Sequence, residues 1–207
     1  MIYSFNLHGL TLQTGDLICT ADGDDTPLVG HFWRFIGMFV PGEADHIIIY
    51  LGPGGRCIEA GPRGVNVFEI PTSTWDAFSM VRQRGPILDT FVGVASPLAK
   101  LDWPEDKKNQ VRTAVAEYCL AQVGKPYNVN YFNSATEEAF YCSQLAYLAY
   151  LPHGINLNTE MGVPDLPPTK AIVFPQEIWA GFPHHQPETF PEPEPLTECL
   201  TPVVVHV

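Results

Sequence analysis

Basic residues are scarce in this sequence. Eleven lysines and arginines stand against 23 aspartates and glutamates, a formal net charge of −12. A field of that sign repels phosphate backbones and anionic lipid headgroups, so no nucleic-acid partner is expected and membrane contact is disfavoured. No apolar stretch approaches the ~20 residues of a membrane span. The opening MIYSFNLHGLTLQTGD lacks a basic segment followed by an apolar run, so no secretory signal is visible. Cysteine is unpatterned: Cys19, Cys57, Cys119, Cys142 and Cys199 are odd in number and contain no CxxC pair, which argues against a structural zinc site. A chain this long can stabilise itself by burial, so a disulfide framework is not needed either, and reduced thiols in a cytoplasmic setting are expected. His184, His185 and Cys199 are a weak metal-ligating set, because adjacent histidines on an extended chain point to opposite sides. No metal and no cofactor are expected.

What is present is enough apolar material for a core. Hydrophobic residues make up 45% of the 207 and aromatics 12%, in a length that suits one domain. Residues 15–20 read as a short strand after a turn. The β-branched run HIIIYL at 46–51, bounded by Asp45 and the GPGG turn, predicts a strand. RCIEA at 56–60 and VNVFEI at 65–70 predict two more, separated by a GPRG turn, and the short loops predict antiparallel neighbours. Alternation in FSMVR at 78–82 predicts a further strand. From Pro104 the period becomes helical, with Asp102 as N-cap, Val111, Val115, Tyr118 and Gln122 in register, and Gly124 and Pro126 as the stop. A second helix is predicted over about 138–150, and a short one at 176–179. The aromatic segment 30–41 predicts a buried helix or a hydrophobic flap. Residues 183–207 are rich in proline and glutamate and read as an extended arm, whose valines at 203–205 could add an edge strand.

Three residue types in this layout point to chemistry. Cys142 falls near the start of the second predicted helix, where the helix dipole and unpaired N–H groups stabilise a thiolate, the attacking species. A buried cysteine is also an ordinary small hydrophobe. His46 opens the isoleucine-rich strand, a place from which a side chain projects into a cleft, although a strand-end histidine is often only an edge residue. Glu59 is a carboxylate in an apolar strand and needs a partner. Pairing with His46 would fix the imidazole tautomer and favour its charged form. The bland alternative is a salt bridge to Arg56 or Arg63. Tyr127, in the GKPY segment, could donate its hydroxyl to an oxyanion beside the backbone N–H of Cys142, or serve as an aromatic wedge.

Taken in chain order, GDLI at 15–18, DHIIIYLG at 45–52, IEA at 58–60 with Gly64-Val65, GKPY at 124–127 and YCSQL at 141–145 resemble the circularly permuted branch of the NlpC-type papain-like amidases and peptidases, the YiiX-like group. In permuted members the histidine strand precedes the cysteine helix, as it does here. The resemblance spans roughly residues 14–180. It implies an α+β papain-like fold, an antiparallel sheet or barrel packed against helices, within a catalytic domain at 1–182 followed by an arm at 183–207. It also implies that Cys142, His46 and Glu59 face one cleft, with Tyr127, Tyr141 and Asp45 in oxyanion or substrate contact. Two positions depart from the family pattern: Asp45 precedes His46 where Ser or Thr is common, and Gln144 stands where an acidic residue is frequent.

The chemistry implied is nucleophilic acyl transfer through a thioester, on an amide of amino-acid or cell-wall-peptide type. The rival reading is a lipid acyltransferase or phospholipase of the lecithin:retinol acyltransferase type, which shares the permuted order. A non-catalytic binding module on the same fold is the third. The partner expected is a small molecule or peptide substrate.

Overall fold

The computed structural model describes residues 1–22, 42–165 and 169–188. The chain begins with a hairpin of β1 (Ser4–Leu7) and β2 (Leu10–Gln13), turned at His8-Gly9, both of which have positive φ. A six-stranded antiparallel sheet follows. Its strands are β3 (Leu17–Asp22), β4 (His46–Tyr50), β5 (Arg56–Gly61), β6 (Gly64–Glu69), β7 (Asp89–Ala95) and β8 (His184–His185), in spatial order β6-β5-β4-β3-β7-β8. The helices are α1 (Ala77–Arg84), α2 (Glu105–Ala121), α3 (Cys142–Tyr150) and α4 (Pro175–Gly181).

Strand alternation sorts the core into two layers. Ile47 and Ile49 of β4 join Leu17, Cys19, Ile58 and Ala60 on the face covered by α2, α3 and α4. Ile48 and Tyr50 face the other way, with Ile18, Cys57, Phe68 and Met80, beneath the β1–β2 hairpin and α1. Both faces of the sheet are therefore buried, which is why 46–51 reads as a continuous apolar run.

The antiparallel β3, β4, β5, β6 arrangement follows the sequence reading. The sheet is not closed into a barrel: among the described residues β6 and β8 are its two edges. Residues 78–82 are not a strand but part of α1. Asp76 caps it by accepting from Phe78 N at 3.1 Å, and the buried pair Met80 and Arg84 repeats at helical spacing while Phe78 points to solvent. A five-residue window of alternating polarity does not separate the two periods. Helix α2 begins after Pro104, without a side-chain cap, so Asp102 is not its N-cap. Helix α3 begins at Cys142 rather than near 138. The hairpin β1–β2 and strand β7 had no counterpart in the sequence reading. The arm adds β8 through Val94↔His185 and Ala95↔His184. The predicted flap at 30–41 and edge strand at 203–205 lie outside the described residues.

Candidate active site

The site lies where the start of β4 meets the start of α3. Cys142 is the first residue of α3, whose opening amides have no intrahelical partner. The helix is held there from two sides. Gln144 Oε1 accepts from Tyr141 N at 3.2 Å and from Asn128 Nδ2 at 2.9 Å, while its Nε2 donates to Thr136 O at 2.8 Å. Ser143 Oγ donates to Val173 O at 2.6 Å, and Val173 N donates to the Tyr141 hydroxyl at 3.0 Å. Gln144 thus closes the first turn of α3. Tyr141 is fully buried, and its hydroxyl is engaged by the backbone.

His46 enters β4 opposite Thr20, and its side chain is 13% exposed. Its Nε2 lies 2.8 Å from Glu59 Oε2, and the Cys142 sulfur faces the same imidazole closely enough to interact with it electrostatically. Burial would push the imidazole down, but the Cys142 sulfur and the Glu59 carboxylate beside it hold it well above the usual histidine value. Three of the sequence-predicted residues are therefore brought together, in the order Cys142, His46, Glu59.

Glu59 does not pair with Arg56 or Arg63. Its second partner is Arg84, the last residue of α1. Arg84 Nε donates to Glu59 Oε1 at 3.0 Å and Nη2 to Oε2 at 2.8 Å. The other edge of the same guanidinium grips Asp89 at the start of β7, Nη1 to Oδ1 at 2.7 Å and Nη2 to Oδ2 at 2.8 Å. Thr20 Oγ1 donates to Asp89 Oδ2 at 2.7 Å. Arg84 is fully buried, with Phe68 and Trp75 rings each 4.9 Å from its Cζ. Burial works to raise both carboxylates, yet the guanidinium and the imidazole hold Glu59 below the usual range, and Arg84, His46 and Thr20 do the same for Asp89. Sequence reasoning missed Arg84 and Asp89. The available signal was Arg84 four residues after Met80, visible only once 77–84 is read as a helix.

Tyr127 is half-buried, bridges to Phe140 at the foot of α3, and stacks edge-on with Tyr131 at 6.3 Å. Tyr131 in turn meets Tyr141 at 5.3 Å and faces Cys142. The segment carrying Tyr127 is docked on β6: Val65 N donates to Lys125 O, and Gly124 N to Val65 O, each at 2.8 Å. Asp45 is half-buried beside His46, with its backbone N–H on Thr20 O at 3.1 Å. The preceding residues are tied to α4 by Gln176 Oε1, which accepts from Glu43 N at 2.9 Å and Ala44 N at 3.3 Å.

A family model described as permuted papain-like amidase enzyme, YaeF/YiiX, C92 family, matches residues 12–166. The chain belongs to this family. The match covers the strand with His46, Glu59, Arg84, Asp89 and the helix with Cys142. At this level the protein is a papain-like amidase with a permuted chain order, and its fold is that of the family. No curated protein and no solved structure matches the chain. Among the described residues no helix is long and apolar enough to cross a membrane, and no group of three or more His, Cys, Asp or Glu side chains is placed to hold a metal ion. His184 instead packs tilted against Trp179 at 4.1 Å between ring centroids, and Cys199 lies outside the described residues.

Proposed function

We propose that this amidase cleaves an amide of amino-acid or cell-wall-peptide type through a thioester on Cys142, with His46 as base and Glu59 as its orienting carboxylate. The observation that carries the reading is the position of one imidazole between two partners, the Cys142 thiol on one side and Glu59 Oε2 at 2.8 Å on the other. Because Nε2 is engaged by Glu59, Nδ1 is the nitrogen left to exchange a proton with sulfur.

His46 takes the Cys142 proton, and the thiolate adds to the substrate carbonyl carbon. The oxyanion is held by the Cys142 N–H at the helix start and by the Tyr127 hydroxyl. On collapse the C–N bond breaks, and His46 gives its proton to the leaving nitrogen. Water then gives a proton to His46 as it attacks the thioester, the C–S bond breaks, and the carboxylic acid leaves with the thiol restored. Tyr141 sets the angle of α3 through its hold on Val173, and Asp45 contacts substrate at the mouth of the cleft. This sequence of steps uses no metal and no cofactor.

A second reading, acyl transfer from a lipid ester, is favoured by one observation: the loop that follows Tyr127 exposes Val129 by 80% and Phe132 by 64%, apolar surface beside the site. Activity on acyl-amino-acid amides against short-chain phospholipids tests the two. Hydrolysis of amides, abolished in Cys142→Ala together with neutral-pH labelling by iodoacetamide, is the expected result. Activity on phospholipids alone would favour the second reading. Rapid labelling of a different cysteine would move the site, and a folded protein with neither activity nor selective labelling would leave a binding module.

A further inference from the structure

The carboxylate beside His46 poses an electrostatic problem. Glu59 is fully buried, and an isolated carboxylate there would take up a proton. A protonated Glu59 could not stabilise an imidazolium. A guanidinium, charged at every working pH, solves that, but a one-to-one pair with Arg84 creates a second problem. The pair is neutral as a unit, and its carboxylate has little net attraction left for a positive imidazole.

Asp89 resolves the second problem. It occupies the opposite edge of the Arg84 fork with two bonds of 2.7 and 2.8 Å, matched against 3.0 and 2.8 Å on the Glu59 side. One cation is thus divided between two anions, and the three-residue unit carries one net negative charge. Among the described residues, the imidazole within hydrogen-bond distance of this unit is His46, at Glu59 Oε2. We propose that Arg84 and Asp89 are positioning residues of the active site: Arg84 holds Glu59 ionised and oriented, and Asp89 offsets the Arg84 charge so that the Glu59 charge remains available to the His46 imidazolium. This inference rests on the Cys142–His46 reading of the site.

Position in the fold supports the assignment. Strand alternation places Glu59, Thr20 and Asp89 on the face of the sheet covered by α1, away from α3. The charged unit is therefore walled off from the nucleophile helix, and His46, the first residue of its strand, connects the two. The groups that face His46 with charge are Cys142 from α3, Glu59 from β5 and, at longer range, Asp89 from β7. Asp45 adjoins it in the chain. Among the described residues, Cys19, Tyr131 and Tyr141 also lie near Cys142, all pushed up by burial. Cys57, which faces Glu59 and Arg84, is pushed up in the same way. An imidazole titration at this site thus reports on His46.

The test is the pH dependence of Cys142 alkylation by iodoacetamide in the full chain, read by peptide mass, together with the imidazole 15N shifts of His46. Asp89→Asn removes the charge and, with its oxygen at the Oδ2 position, keeps an acceptor for Thr20 and Arg84 Nη2, while its NH2 faces Arg84 Nη1. It is expected to lower the pH at which His46 loses its proton by about one unit, the scale on which a nearby charge moves a titration, and to slow alkylation at neutral pH. A folded Asp89→Asn protein with the wild-type His46 titration would overturn the proposal. Arg84→Lys keeps the charge but loses the two-point fork. It is expected to leave the titration in place and slow alkylation about tenfold. An unchanged rate there would overturn the positioning role, and this variant decides the matter if Asp89→Asn does not fold. Failure of the underlying reading looks different: in wild type, Cys142 would not be the cysteine alkylated.

Discussion

Replacing Glu59 by Gln separates charge from shape at the centre of the buried unit. Three donors converge on the two Glu59 oxygens: His46 Nε2 and Arg84 Nη2 on Oε2, and Arg84 Nε on Oε1. A glutamine presents one oxygen and one NH2 to these donors. With its oxygen at the Oε2 position, the amide NH2 faces Arg84 Nε, donor against donor. With the oxygen at Oε1, the NH2 faces two donors. Either way at least one charge-assisted hydrogen bond of roughly 1.5–3 kcal/mol is lost. Breaking one side of a buried ion pair costs about 3–5 kcal/mol when the partner charge stays behind. Here Asp89 still neutralises Arg84, so the low end, about 3 kcal/mol, is expected. Urea unfolding at pH 7 should show the midpoint falling with an unchanged slope. The deficit should shrink on acidification. Glu59 is held below the usual carboxylate range when folded, so its contribution is present above the unfolded value of about 4.3 and is lost as pH falls through the folded value. A loss below about 1 kcal/mol in a folded Glu59→Gln protein would refute the claim that the unit depends on this charge.

His46 is raised in the folded protein, so its stabilising contribution is complete below about pH 6.5 and is lost as pH rises through the folded value. Unfolding free energies across that range in wild type and His46→Ala should converge at high pH. His8 has the opposite sign: burial lowers it, and its Nε2 accepts from Trp75 N at 2.8 Å, an interaction that protonation destroys. The His8 contribution is therefore present above about pH 6.5 and is lost as pH falls through the folded value, and His8→Gln should remove that loss from the melting-temperature curve. Asp76→Ala removes the cap of α1 and should cost about 1 kcal/mol, measured by urea unfolding, whereas exposed Phe78→Ser should stay within about 0.5 kcal/mol. Gly64→Ala places a Cβ against the Lys125 carbonyl at a φ of 74°, while Gly9→Ala at a φ of 82° meets nothing. Both should lose roughly 1 kcal/mol to strain, with Gly64→Ala losing more and also slowing turnover, because it displaces the segment that carries Tyr127.

The parts of the site that are local in sequence were legible there. The apolar run after His46 dictates a strand, and the segment around YCSQL dictates a helix, although the sequence reading starts it near 138 and the structure at Cys142. Glu59 was suspect because a carboxylate among Ile58 and Ala60 cannot be left without a partner. What the partner is depends on a long-range contact. Arg84 reaches Glu59 from a helix twenty-five residues away, and the short window at 78–82 was read with the wrong period, which hid the side of the chain on which Arg84 lies. β7 was overlooked, and with it Asp89. The first hairpin escaped because its four-residue strands turn on His8-Gly9, a weaker turn signal than Asn-Gly.

The permuted chain order has a consequence during synthesis. Thr20, His46, Glu59, Arg84 and Asp89 all leave the ribosome fifty or more residues ahead of Cys142. Chains acquire structure from the N-terminus as they are made. His46 and its ionic partners can therefore assemble against the sheet before Cys142 is added. Cys142 follows them on α3, ahead of Val173, α4 and β8, so the sulfur meets an imidazole whose carboxylate and guanidinium partners are already made.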